Sequence, residues 1–422
     1  MNYRDYPSCG IRLYEGVSPS GLPVSVYPMA GYQTKYALLA VRYGGCDRRF
    51  SSPGGWVDTP AGIAHYLEHK MFDMPGYNAM EKFTAHGANP NAFTGAGMTG
   101  YLFSCSERFE QNLEELLTYV TTPYFTAESV AKEQGIIGQE IRMGNDNPAR
   151  RVRQNLMRAL YRTHPVRDSI AGTVESIAEI TPEVLERCYR AFYHPKNMVL
   201  CCAGDIDPKL VLAMAEMLVP TSEGEPPRSD YGDPESRMPE TVRVEEKMAV
   251  SMPVFMLGSK LDWLADGRAW TKQLLLTEMS CQLFAGEGSP LYAELYAEGL
   301  INASFYAGAT DFPQGGIACA GGRCGDPAAV MARLVDAAER FRMDSAAQSR
   351  FQRMKKMMLG NFIVALDSPE QLCHTQAESH FAGFERMRYP ELLEEIAAED
   401  VERTVHDCFD ASRLALSIVS PL

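Results

Sequence analysis

The sequence predicts an α+β protein of two domains. Short β-rich runs bounded by Gly and Pro recur among longer runs with apolar residues at helical spacing. At 422 residues the chain exceeds what one hydrophobic core organises. Residues 219–240 are rich in Pro, Ser, Gly and Glu, and the segments on either side repeat a similar order of strands and helices. The expected division is therefore a first domain 1–218, a linker 219–245 and a second domain 246–422, related by a degenerate duplication.

Bulk properties narrow the function. An apolar fraction of 45% with 22% charged residues is that of an ordinary globular protein. A net charge of −14 argues against nucleic acid as a partner. No apolar stretch approaches membrane-spanning length, and Met1 to Tyr6 is too polar for a secretory leader. The eleven cysteines are odd in number and form no C-x-x-C pair. That is reduced, cytoplasmic usage, and Cys201-Cys202 read as core strand residues.

In chain order, residues 8–45 read as strands, notably Leu22 to Pro28 and Tyr36 to Tyr43, followed by a Gly/Ser/Pro loop from Ser51 to Gly55. Gly62 to Phe72 is an apolar-periodic run behind Thr59-Pro60, with Thr59 as expected N-cap and Pro60 as first helical residue. It contains His65-Tyr66-Leu67-Glu68-His69. On a helix His65 and His69 share one face, so both imidazoles can reach one ion, and Glu68 stands beside it, placed to hold a water. The order H-x-x-E-H is the inverzincin motif. Alone it also fits a polar helix face or a core histidine. Tyr77 to His86 suggests a helix stopped by Gly87, and residues 87–95 and 98–105 suggest two adjacent strands. Pro90 belongs on an edge, where an extended peptide can add to the sheet. Glu107 to Tyr119 is helical, and a further helix over residues 129–143 carries Glu133 and Glu140 on one face. Its Gly135 and Gly138 suggest close approach to another element.

With these residues in view, Gly62 to Pro148 resembles the insulinase/pitrilysin family of inverzincin metallopeptidases, in the branch of the mitochondrial processing peptidase. The resemblance implies zinc ligands His65, His69 and Glu140, with Glu140 71 positions after His69 (140 − 69). It implies Glu68 as general base and Glu133 as a supporting catalytic carboxylate. Asn91, Ala92, Phe93 and Thr94 correspond to the family's substrate-binding edge strand. His164-Pro165, Gly172 to Ile177 and Phe192 to Pro195 also follow the family. Each domain is then a mainly antiparallel sheet flanked by helices, and the chain is half of a clamshell chamber.

In the second half, strands are expected at Val254–Gly258, Asn302–Gly308, Gly316–Gly321 and Leu414–Val419, with helices between. No second H-x-x-E-H occurs, and His374 and His380 have the wrong spacing for one helical face. Self-sufficient relatives carry an Arg and a Tyr here that touch substrate. This chain has Tyr296 and Asn302 near those positions. The resemblance therefore implies a zinc endopeptidase acting on extended peptides beside a zinc-less sister subunit, or as a homodimer. A silent structural or chaperone-like subunit, or a maturation protease for one ribosomal peptide, are the alternatives.

Overall fold

The computed structural model describes every residue except Ser8, which opens the 8–45 run and lies outside the described residues. The first sheet takes β1 (Asn2–Tyr6), β2 (Ile11–Val17), β3 (Pro23–Pro28) and β4 (Lys35–Val41). Two small hairpins follow, β5 (Arg49–Ser52) with β6 (Gly55–Asp58), and β7 (Asp73–Met74) with β8 (Tyr77–Asn78). The run expected as a loop at Ser51–Gly55 is the tip of the first hairpin. β9 (Asn89–Thr94), β10 (Thr99–Cys105) and β11 (Met198–Gly204) complete the first sheet. The second is built from β12 (Arg243–Met248), β13 (Val254–Lys260), β14 (Tyr306–Phe312), β15 (Gly315–Arg323) and β16 (Ala415–Pro421).

Strand order in the first sheet is β1-β2-β3-β11-β4-β10-β9, and in the second β12-β16-β13-β15-β14. Setting β1 and β2 aside, both run first, fifth, second, fourth, third. In both, the first and fifth strands are parallel and the other neighbours antiparallel. One topology used twice is the structural form of the duplication.

The chain divides into two compact units. The first comprises residues 1–141, 169–230 and 361–387; the second comprises 142–168, 231–360 and 388–422. This differs from a contiguous split at 218, and the cause is burial. Side chains alternate across β4: Ala37, Leu39 and Val41 enter one core, while Tyr36, Leu38 and Ala40 enter another on the opposite face. β11 does the same, so Cys201 and Cys202 are fully buried on opposite faces. A sheet that is apolar on both faces must be covered on both. The second face is covered by the helix Pro369–Ala382, through Leu372, Cys373 and Ala377. Helix Pro148–Leu160 conversely packs on β12, β13 and β16 of the second unit. Each unit thus borrows one helix from the other half of the sequence.

The linker is more ordered than its composition suggests. The Glu235 carboxylate accepts the backbone N–H groups of Arg162, Thr163 and His164 at 3.0, 2.7 and 3.1 Å. β12 begins at Arg243, inside the expected linker. β14 starts at Tyr306 rather than Asn302, because the Asn302 side chain accepts the Ser304 N–H and hydroxyl in a turn. Among the described residues, no helix is long and apolar enough to cross a membrane.

Candidate metal centre

The motif helix spans Ile63–Met71, and its N-cap is Gly62 rather than Thr59. The Thr59 hydroxyl is used elsewhere, donating to Arg48 O at 2.8 Å. Gly62 has φ +96° and Gly172 has φ +75°. A Cβ on Gly62 would lie 2.7 Å from Ala171 O, and one on Gly172 would lie 2.3 Å from Ala61 O. The two glycines interlock, and the Ser176 hydroxyl also donates to Ala61 O at 2.7 Å. Segment 171–176 therefore clamps the start of the motif helix, which only glycine permits at both positions. Ile63, Ala64, Leu67 and Met71 bury the helix's apolar face, leaving His65 and His69 half-buried on the other. Lys70 is completely buried and paired with Asp73.

The second helix spans Ala127–Asn145, and Ser129 N–H donates to the Thr126 hydroxyl at 3.1 Å. Val130, Ile137 and Ile141 seat it in the first core. The Tyr66 hydroxyl donates to Val130 O at 2.5 Å, tying the two helices together. Gly135 and Gly138 do not serve close approach: a Cβ on either meets nothing within 4 Å. The helices are brought together by Tyr66 and the isoleucines instead.

This seating places Glu140 Oε2 3.8 Å from His65 Nε2 and 3.6 Å from His69 Nε2. One ligand atom from each of the three lies within 4.8 Å of the others. Glu133 Oε1 sits 2.9 Å from His69 Nδ1. With Glu133 ionised, Nδ1 carries the proton and the Nε2 lone pair is turned toward Glu140. Two imidazoles and a carboxylate, with a further carboxylate fixing one tautomer, suit a zinc ion with an open fourth position. Zinc therefore fits the donors present.

Glu68 stands beside this group, largely buried, and accepts a hydrogen bond from the Thr94 hydroxyl at 2.5 Å. Burial pushes its carboxyl above the usual range, and the Glu140 charge adds to this, while Thr94 and His69 pull the other way. Burial alone lowers the affinity of His69 for a proton. The Glu133 hydrogen bond and the charges of Glu140 and Glu68 outweigh it, so its pKa is raised.

β9 is the outer strand of its sheet. Gly95 N–H donates to Met98 O at 2.7 Å, a pattern that turns the backbone groups of Ala92 and Thr94 outward. Pro90 has the same outward register, where its missing N–H costs no ladder bond. Asn91 Oδ1 accepts the Ala92 N–H at 2.9 Å. Thr94 faces the motif helix. Phe93 is on the opposite face, against Gly100 and 5.2 Å from the His374 ring, so its side chain packs the fold. Sequence reasoning missed the Thr94–Glu68 bond and the 171–176 clamp. The adjacency of Gly172, Thr173 and Ser176 was the available signal for the clamp.

In the second unit Tyr296 is exposed and stacked on Tyr292, with centroids 6.0 Å apart. Asn302 donates to Arg323 O at 2.9 Å.

Known proteins are similar to this chain over nearly its whole length. Insulinase (peptidase family M16) matches residues 54–174, and the peptidase M16 inactive domain matches residues 179–358. The zinc protease YmfH of Bacillus subtilis is 35% identical, covering 99% of this chain and 98% of its own length. The crystal structure of an M16-like peptidase from Alicyclobacillus acidocaldarius superposes with a TM-score of 0.91 at 32% identity, covering 98% of this chain and 99% of that one. A protease from Helicobacter pylori shares the fold, with a TM-score of 0.82 at 17% identity, covering 97% and 99%. With two consecutive family matches and a full-length relative at this identity, the chain belongs to the insulinase family, peptidase family M16.

Proposed function

We propose that the chain is a zinc-dependent endopeptidase that hydrolyses extended peptides or small unfolded proteins. The observation that carries this is the convergence of His65, His69 and Glu140 ligand atoms within 4.8 Å, beside a buried Glu68. His65, His69 and Glu140 would hold the ion. Zinc supplies Lewis-acid polarisation of the scissile carbonyl and makes a water acidic enough to be activated near neutral pH.

The remaining roles belong to the chain's own groups. Glu133 holds the His69 imidazole in its ligating tautomer through Nδ1. Glu68 takes the proton of the attacking water and delivers it to the leaving amine. Its raised pKa suits a group that must both accept and return a proton. The substrate adds to β9 as a further strand, bonding to the outward backbone groups of Ala92 and Thr94 after Asn91 releases the Ala92 N–H. Binding of this kind selects for extended backbone more than for sequence.

Tyr296 and Asn302, standing near the positions of a substrate-touching Arg and Tyr, favour a zinc-less sister subunit that supplies those groups, as in the mitochondrial processing peptidase branch. Among the described residues the cysteines form no disulfide, which supports a cytoplasmic setting. The test is metal analysis of protein purified without chelator, with digestion of an unfolded peptide library alone and with a zinc-less homologue. About one zinc per chain, lost in Glu140→Ala, with cleavage by the loaded pair is expected. A metal-loaded pair that cleaves nothing would favour the silent-subunit reading, for which the match to an inactive domain over residues 179–358 speaks.

A further inference from the structure

The duplicated topology gives β9 a counterpart. β14 holds the same third position and is likewise the outer strand of its sheet. The helix Gly267–Ala285 lies between the second and third strands, as the motif helix does in the first sheet, and it packs against β14. The tight turn closing the Phe312–Gly315 pair turns the backbone groups of Ala307 and Ala309 outward. These are the groups an added peptide strand would use.

They are already taken. Glu278 Oε2 accepts the Ala309 N–H at 2.7 Å, and Gln282 Nε2 donates to Ala307 O at 2.9 Å. Gln282 also donates to Glu278 Oε1 at 3.2 Å, which holds the pair as one unit. An acceptor and a donor thus meet an outward N–H and an outward C=O, as the backbone of a neighbouring strand would. Glu278 and Gln282 are four apart on their helix, the spacing of His65 and His69 on theirs. Gly308 belongs to the same arrangement, because a Cβ there would lie 2.6 Å from Glu278 Oε2. On β9 the outward Ala92 N–H is met by the side chain adjacent in sequence, which one χ1 rotation removes. On β14 the cap comes from a packed helix.

We infer that Glu278 and Gln282 close the second domain to strand addition and so confine extended peptide to the first, where the metal ligands are. The pair determines specificity for location: the helix at the corresponding place in the second unit carries an edge-capping pair at the same i, i+4 spacing. The half of this inference that concerns β9 rests on the proposed peptide-binding role; the capping of β14 does not.

The experiment titrates a dye-labelled, unfolded peptide of alternating Val and Ser into the full chain carrying Glu68→Gln, which prevents turnover. The same titration is made with Glu278→Ala and Gln282→Ala added. The expected stoichiometry rises from one peptide per chain to two, or the capless chain self-associates in sedimentation through its open edge. A rise from none to one supports the cap while rejecting β9 as the peptide edge. An unchanged stoichiometry without self-association overturns the inference. Amide hydrogen exchange on the unsubstituted chain decides independently of how the variants fold. Ala309 should exchange much more slowly than Ala92, and equal rates would overturn the cap.

Discussion

At the scale of single residues, the arrangement is governed by which atom each carboxylate faces. Glu140 faces both Nε2 atoms, Glu133 faces Nδ1 of His69, and Glu68 faces Thr94. Three glutamates with three different neighbours give three separable phenotypes. Glu68→Gln should keep zinc, measured by metal analysis, and lose turnover; retained peptidase activity would remove it as the base. Glu133→Gln should keep the fold but weaken zinc binding about 10–100-fold, as expected when a group orienting a ligating imidazole loses its charge. Proton competition adds a pH signature. The raised pKa of His69 in the metal-free protein means a proton competes with the ion above the ordinary imidazole value of 6.5. Zinc affinity should therefore fall as pH is lowered, beginning on the alkaline side of that value. In Glu133→Gln the fall should begin at lower pH, because one of the carboxylates that raise the pKa is gone while Glu140 and Glu68 remain. Chelator competition across pH reads both effects.

At the scale of elements, the motif helix depends on what grips its ends. Its start is held by the Gly62 and Gly172 interlock. Gly172→Ala would force an L side chain into the left-handed region, costing about 1–2 kcal/mol before its clash with Ala61 O is counted. A lower unfolding midpoint with weaker zinc binding is expected; an unchanged midpoint would remove the clamp. Near its other end the helix buries Lys70 against Asp73, which is itself 34% exposed. Asp73→Ala should destabilise by about 1–4 kcal/mol, less than for a fully buried pair because solvent reaches the carboxylate. Lys70→Met, similar in volume and needing no partner, should be close to neutral. Denaturant unfolding distinguishes the two.

At the scale of the whole molecule, the exchange of helices between the two halves of the sequence dictates how the chain may be divided. The second face of the first sheet, with Leu38, Val199 and Cys201, is covered by residues from Leu366 to Met387. A fragment ending at 218 would expose that face, so it should be insoluble or molten, and the full chain is required. Cooperative unfolding of residues 1–218 in isolation would contradict this. Activity belongs to this scale too. If a sister subunit supplies the missing substrate-touching groups, the purified chain alone should turn over peptide far more slowly than the mixture. Full turnover by the lone chain would exclude the partner.

The sequence alone carried the motif half of the candidate site, because that information is local, whereas the approach of Glu140 to it is tertiary. H-x-x-E-H fixes two imidazoles and a carboxylate by helical periodicity, and Pro90 marks an edge strand by lacking an N–H. The α+β class and the duplication were legible for the same reason, as runs of period and punctuation. Tertiary structure alone decided the rest. Thr59 was a plausible cap until Arg48 O claimed its hydroxyl, and Gly135 and Gly138 suggested a contact that does not occur. Domain boundaries lay beyond the sequence because an amphipathic helix shows that it must be buried but not against which sheet. The cap on β14 was hidden likewise: Glu278 and Gln282 are ordinary helix residues until a strand 27 positions on (309 − 282) presents its outward edge to them.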